Sequence, residues 1–307
     1  MFNMRKVVVA GAAGFIGSWL ALELLRSGYQ VTVIVRNPDK LISDIASNIN
    51  SRIVKKDIND LNVEDMPSDE YDIFYNVSWA GVSSDKKDDF EIQMSNVSMQ
   101  LNALRVCSYI GCKKFITTGT VAEYAMAAKV INFDERQRPN DIYGAAKIAS
   151  YFILDVESKR IGQPFIWTVL PSTFGERRND NNIITYTIKE LLYGRKPCFG
   201  NLEQMWDFLY ASEVARAMRL IGEKGIAGKI YGIGSGVYKP LREYICQIRD
   251  IINPSYDLGI GEIPSLSKKT FSSCVNIYDL IKDTGFYPKV SFEEGIKRTI
   301  NYWKTKI

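Results

Sequence analysis

Residues Arg5 to Ala10 read Arg-Lys-Val-Val-Val-Ala, an apolar run that passes directly into Gly11-Ala12-Ala13-Gly14-Phe15-Ile16-Gly17. A helix-periodic stretch follows from Ser18 to about Ser27. No other feature limits the fold as strongly. Glycines spaced three apart let a backbone turn tightly, approach an anion and press a helix against the preceding strand. Strand, glycine turn and helix in that order predict a cradle for a dinucleotide pyrophosphate, with the free N–H groups of the helix start facing the phosphates. A second strand, Tyr29 to Val35, delivers the chain to Arg36.

Strands and helices alternate beyond this unit. Short apolar strands are expected at Arg52–Lys55, Tyr71–Val77, Lys113–Thr118 and Phe165–Leu170, with helices over Phe90–Ile110 and Asp141–Lys159. Such alternation implies an α/β fold, a doubly wound parallel sheet covered on both faces with right-handed crossovers. The second half is less regular. Helices are expected at Ile183–Tyr193 and Ser212–Gly222, an extended segment at Trp206–Tyr210, and a late sheet strand at Lys229–Ile233. Residues 1–170, completed by about 206–235, are expected to form the dinucleotide-binding domain. Residues 171–205 and 236–307 then make a smaller interleaved lobe beside it.

Composition narrows the chemistry. The 307 residues contain no histidine, which removes His-based acid/base catalysis, Ser-His-Asp hydrolysis and most zinc sites. A formal charge of +4 with no dense Lys/Arg block argues against nucleic acid and suits an anionic small molecule. Five scattered cysteines without a C-x-x-C pair look like the reduced thiols of a cytoplasmic protein. The apolar run to Leu25 is interrupted by glycines, Ser18 and Glu23, and no other stretch is long enough to span a bilayer, so no membrane association is expected.

Three constellations carry the chemistry. About 20 residues past the glycines an NAD site usually places a carboxylate on the ribose hydroxyls. Here that place reads Val35-Arg36-Asn37-Pro38, with Lys40 close by. A guanidinium suits a 2′-phosphate, so NADP(H) is expected, with NAD(H) the alternative. Asp57 and Ile58, after the third strand, are candidates for the adenine. Tyr143 and Lys147 lie four apart on one helix face. An ammonium there is expected to lower the tyrosine pKa and make the phenol a proton donor or acceptor. Thr120, at the end of the Phe115–Thr120 run, stands where ligands meet a parallel sheet and can donate to a substrate oxygen.

Together these residues resemble the extended short-chain dehydrogenase/reductases of the NAD(P)-dependent epimerase/dehydratase group, which act on nucleoside-diphosphate sugars. The resemblance covers nearly the whole chain. It rests on Gly11-x-x-Gly14-x-x-Gly17, Asn76-Val77-Ser78-Trp79-Ala80-Gly81, Asn96-Val97, Thr120, Tyr143-x-x-x-Lys147, Pro171-Ser172-Thr173-Phe174-Gly175 and Trp206-Asp207-Phe208-Leu209-Tyr210. It implies a Rossmann fold, a catalytic trio of Thr120, Tyr143 and Lys147, and a lobe that holds the nucleotide diphosphate. By the same resemblance the cofactor is expected against Gly11, Gly14, Phe15, Ile16, Gly17, Val77, Ser78, Trp79, Thr118, Tyr143, Lys147 and Pro171. The substrate is expected at Trp79, Thr120, Tyr143, Ser172, Arg177, Arg178 and Trp206. A homodimer through the Tyr143 helix is also implied.

Departures from the family pattern choose among its reactions. The 4,6-dehydratases place Asp-Glu after the threonine, where this chain has Val121-Ala122. Fucose-synthase-like epimerase-reductases need a Cys and a His; here Ala122 takes the Cys position and histidine is absent. A 4-ketoreductase of a 4-keto, 6-deoxy sugar nucleotide or a 4-epimerase remains. Arg36 favours the reductase, because 4-epimerases carry an acidic residue there. A non-nucleotide ketone reductase of the flavonoid-reductase kind, which shares Val-Arg-x-Pro, and a non-catalytic NADP sensor are the other readings. Ser172 and Trp206 replace a frequent Asn and Arg, which leaves Arg177, Arg178, Arg195 or Lys268 as partners for the pyrophosphate.

Overall fold

Val7, Val8, Val9 and Ala10 are all fully buried, and successive side chains enter opposite apolar clusters. Only a central strand covered on both faces gives that pattern. The computed structural model describes residues 5–83, 85–125, 130–134, 136–264 and 273–307. Strand β1 (Lys6–Ala10) leads through the glycine turn to α1 (Phe15–Arg26) and β2 (Gln30–Val35). A one-turn helix α2 (Ser43–Ala46), β3 (Ser51–Lys55), β4 (Ile73–Asn76), α3 (Phe90–Tyr109), β5 (Phe115–Thr120), α4 (Ile142–Ile161) and β6 (Phe165–Leu170) follow.

Beyond them come β7 (Ser172–Phe174), α5 (Ile183–Leu192), β8 (Cys198–Phe199), β9 (Met205–Trp206), β10 (Phe208–Tyr210), α6 (Ala211–Lys224) and β11 (Ile230–Gly232). The chain ends with β12 (Lys239–Pro240), α7 (Leu241–Ile252), β13 (Gly259–Ile260), α8 (Tyr278–Thr284) and α9 (Phe292–Lys304). Seven strands form one parallel sheet in the order β11-β6-β5-β4-β1-β2-β3. The expected α/β class is what folds. Strand order reverses between β1 and β4, and the strand ends on either side of that reversal carry the glycine turn and Val77–Trp79. In open α/β sheets the crevice at this reversal binds the ligand.

Leu20 and Leu24 of α1, Val214 and Met218 of α6 and Leu280 of α8 cover one face of the sheet. Met99 and Leu104 of α3 and Leu154 of α4 cover the other. A third cluster, including Phe174, Ile188, Phe208, Tyr244, Ile300 and Trp303, forms the core of the lobe. One sequence boundary needs correction. Ile277, Leu280 and Phe286 were expected in the lobe but pack on the sheet face with α1 and α6, because α8 lies against α6 and β11. No described helix is long and apolar enough to cross a membrane.

Helix α4, which carries Tyr143 and Lys147, has clear ends. The Asp141 carboxylate accepts the Gly144 N–H at 2.7 Å at its start, and Gly162, at φ 69°, closes it in the left-handed conformation. Its register on α3 is tied by Glu157, which accepts from Arg105 Nε at 2.8 Å and from Arg160 Nε at 2.6 Å. These bonds hold the Glu157 pKa down at about 2, well below the ordinary 4.5. A carboxylate with a depressed folded-state pKa stabilises the fold above its free value and stops doing so as it protonates. Glu157→Gln should therefore lower Tm at pH 7, with the gap to wild type closing as pH falls from 4.5 toward 2. A gap independent of pH in thermal melts would refute the assignment.

Candidate active site

The glycine cradle is built by close approach. Gly11 sits at φ +86°, and a Cβ there would stand 2.7 Å from Ser78 Oγ on the β4 side. At Gly17 a Cβ would stand 2.1 Å from the Gly11 carbonyl oxygen, so α1 seats on the turn only without a side chain. Gly14 is the N-cap of α1 and supplies no capping side chain. The first-turn N–H groups of Phe15, Ile16 and Gly17 are therefore open to an anion. Beside them the buried Ser78 hydroxyl has no hydrogen-bond partner. A dinucleotide pyrophosphate fits both features.

At the end of β2 the Arg36 side chain is 75% exposed, and its Nη1 lies 3.8 Å from Asp57 Oδ2. It is turned largely to solvent, so its chemistry and position, rather than a formed contact, carry the cofactor reading. Lys40 is exposed in the one-turn 3-10 helix Pro38–Lys40. Asp57 Oδ1 caps the next turn by accepting the Asn59 N–H at 2.9 Å, and its Oδ2 carries only the loose contact with Arg36. Ile58 is buried, and its carbonyl accepts from Asn102 of α3.

The structure brings the trio together, with an electrostatic difference from expectation. The Thr120 hydroxyl interacts with the Tyr143 phenol and favours its ionised form, but burial outweighs this and pushes the phenol up to about 12. Lys147 is not what governs it. Its ammonium donates to the Thr118 carbonyl at 2.6 Å, stands 3.8 Å over the Trp79 indole and lies 6.0 Å from the Tyr143 ring centroid. Burial pushes the Lys147 ammonium downward. The expected acidification of Tyr143 by Lys147 is thus overturned: helical spacing sets the face, whereas the Thr118 carbonyl sets where the ammonium points.

Trp79 closes this corner edge-on to Tyr143, with ring centroids 6.0 Å apart. Its indole N–H donates to Gln93 Oε1 at 2.9 Å, and Asn96 ties both polar groups of Ala80. Gln93 was missed in sequence, where it is one polar residue among many on α3. Glu123 was missed as well. It is fully buried and accepts the Thr120 N–H at 2.7 Å.

On the substrate side Ser172 and Trp206 converge. Trp206 bridges to Ser273, whose hydroxyl lies 3.4 Å from that of Ser172. Trp206 Nε1 is buried with no acceptor. Pro171 is buried where β6 passes into β7. The two adjacent arginines differ. Arg178 forms a bidentate pair with Asp180 at 2.7 and 2.8 Å and lies over Phe15, at 5.6 Å from the ring centroid. Arg177 lies over Trp19 at 4.4 Å, and its Nε and Nη2 are buried without acceptors. Arg195 is paired with Glu190 on the α5 side, and Lys268 lies outside the described residues.

A parallel sheet with a glycine cradle at its switch point and a Thr-Tyr-Lys corner beside it defines a nucleotide-dependent short-chain oxidoreductase. The family model of the NAD dependent epimerase/dehydratase family matches residues 7–234, and the chain belongs to that family. It is 26% identical to a UDP-N-acetyl-alpha-D-glucosaminuronate decarboxylase of Bacillus cytotoxicus, covering 98% of each chain. It is 24% identical to a trifunctional UDP-glucose 4,6-dehydratase/3,5-epimerase/reductase of Arabidopsis thaliana, covering 98% of this chain but 47%, about half, of that one. The fold matches a UDP-N-acetylglucosamine 4-epimerase of Methanobrevibacter ruminantium, with a TM-score of 0.88, 22% identity and all of both chains covered. It equally matches a UDP-glucuronic acid 4-epimerase of Bacillus cereus in complex with UDP-glucuronic acid and NAD, with a TM-score of 0.88, 24% identity, and 99% of this chain and 100% of that one covered.

The close approach at Gly17 gives a direct test. Gly17→Ala should abolish the thermal stabilisation that NAD(H) or NADP(H) gives the wild-type protein. Undiminished stabilisation in that variant would rule out the cradle.

Proposed function

We propose that the protein is an NADPH-dependent reductase of a 4-keto, 6-deoxy nucleoside-diphosphate sugar. The observation that carries this reading is Arg36 at the end of β2, a guanidinium where an NAD site usually places a carboxylate. Tyr143, a neutral phenol at physiological pH, supplies the proton donor that a carbonyl reduction needs. Val121 and Ala122, which carry no titratable group, argue against a dehydratase, because neither can exchange protons with the sugar ring.

In this reading the N–H groups of Phe15, Ile16 and Gly17 would hold the pyrophosphate of NADPH, and the Arg36 guanidinium would meet its 2′-phosphate. When bound, the reduced nicotinamide supplies the hydride that the sugar C4 accepts. Thr120 donates to the carbonyl oxygen and orients it. Tyr143 transfers its proton to that oxygen as negative charge develops, completing the C4 hydroxyl and leaving a phenolate. Lys147 binds the nicotinamide ribose. Trp79 shields the corner from water. On the far side the unmatched N–H groups of Arg177 and Trp206 receive the substrate diphosphate, with the nucleotide held by residues 171–205 and the later part of the lobe.

A second reading, a 4-epimerase that retains NAD, is favoured by the 4-epimerase structures that match the whole chain. Purified protein incubated with a panel of 4-keto nucleotide sugars should oxidise added NADPH stoichiometrically, and NADH more slowly. Tightly bound NAD(H) with no net NADPH consumption would establish the epimerase instead. Tyr143→Phe should reduce turnover by about 10²-fold or more, and near-wild-type turnover would sink the mechanism.

We also propose a homodimer. Phe152, Ile153 and Val156 of α4 are exposed, as are Phe90 and Met94 of the neighbouring α3. An apolar face shared by two adjacent helices suits an isologous contact with a second copy. A sedimenting mass of one chain would refute it.

A further inference from the structure

We propose that Lys239 binds the diphosphate of the substrate, supplying the positive charge that the Ser172 and Trp206 side of the site otherwise lacks. The inference deepens the reading of the substrate as a nucleoside-diphosphate sugar and rests on it.

Register places this side of the site next to the reacting corner. Thr120 pairs with Leu170 across β5 and β6, so the chain that leaves β6 begins beside Thr120. Ser172 follows two residues later and pairs with Phe208 of β10. Trp206 stands two residues before Phe208, on β9, and bridges Ser273, whose hydroxyl lies 3.4 Å from that of Ser172. The Trp206 indole N–H has no acceptor. Hydroxyls and an indole can donate hydrogen bonds to an anion, but they carry no charge to offset its loss of water.

Lys239 lies where that charge is needed. Strand β12 runs antiparallel to β9, with Lys239 directly opposite Trp206. Directly opposed residues of an antiparallel pair share a face, with Cβ atoms about 4.5–5.5 Å apart. The aromatic packing agrees with this placement. The Lys239 ammonium lies 5.7 Å from the Tyr244 ring centroid, Tyr244 lies 5.1 Å from Phe208, and Phe208 lies 6.2 Å from Trp206.

Its charge is also unspent. Lys239 is half-buried and forms no ion pair among the described residues. Asp207, next to Trp206 in the chain, uses both carboxylate oxygens to accept the Ser235 N–H, at 3.1 and 3.0 Å. That bond and the Tyr244 hydroxyl, which donates to the Val237 carbonyl at 3.1 Å, hold the segment that leads into β12. The Lys239 main chain is therefore set before any ligand arrives. Other cations of this half of the chain are committed elsewhere: Arg178 to Asp180 and Arg195 to Glu190. Arg177 and Lys239 are left to face a diphosphate from two sides.

The test measures binding rather than turnover. Protein saturated with its dinucleotide, so that the glycine cradle is filled, is titrated calorimetrically with UDP and with dTDP. Lys239→Met keeps the apolar stem on Tyr244 and removes the charge. It should weaken the nucleoside diphosphate by about 10-fold or more, while Lys239→Arg stays within about threefold of wild type. Equal affinity in Lys239→Met and wild type overturns the proposal and makes Lys239 a solvated surface lysine. Should the methionine variant not fold, wild type is acetylated with and without the nucleotide and the labelled lysines are read by mass spectrometry. Protection of Lys239 supports the contact, and equal labelling refutes it. If neither diphosphate binds wild type, the proposal falls together with the sugar-nucleotide reading. If Lys239 governs diphosphate binding but no 4-keto sugar nucleotide oxidises NADPH, only the proposed reaction fails.

Discussion

The structure depends on the contact between the backbone of α1 and the turn that precedes it. Gly17 lies so close to the Gly11 carbonyl that even a methyl group is excluded. That approach aims the uncapped helix start along the end of β1 and places Ser78, just past the adjoining strand β4, beside the same turn. The strand-order reversal between β1 and β4 opens the crevice there. Each later part of the site, from Arg36 at one edge to Tyr143 at the other, is placed relative to this contact by the parallel sheet.

Burial governs the chemistry of the corner next to the cradle. In water, a lysine four residues from a tyrosine would be the obvious influence on the phenol. Inside the protein, desolvation outweighs that influence: it raises the phenol, lowers the ammonium and raises the nearby carboxyl. Lys147 then answers to the Thr118 carbonyl and the Trp79 face rather than to Tyr143. A neutral phenol beside a hydroxyl is a donor pair, the arrangement that proton transfer to a carbonyl oxygen uses.

The two edges of the site are less constrained. Arg36 is mostly in solvent and held only loosely by Asp57, so cofactor choice rests on the chemistry of a guanidinium rather than on a preformed socket. On the substrate side, Arg178 is already satisfied by Asp180, whereas Arg177 and Trp206 retain buried N–H groups with no acceptor. Two neighbouring arginines that look equivalent in sequence thus differ in what they can offer a phosphate.

The sequence by itself determined the α/β class, the glycine cradle and the trio, because each is written in local order: apolar strands of continuous burial, glycines at fixed spacing, and residues four apart on a helix. It also excluded histidine chemistry outright. Only the tertiary structure decided that α8 belongs to the sheet face, that Asp57 is used as a cap, and that the Thr118 carbonyl holds the Lys147 ammonium. Glu123 is the sharpest case. Four consecutive residues, Val121 to Tyr124, carry no signal that the third will be fully buried and turned back onto the Thr120 N–H. That position is set by packing between elements far apart in the chain, and a carboxylate becomes chemically distinctive only once water has been removed from it.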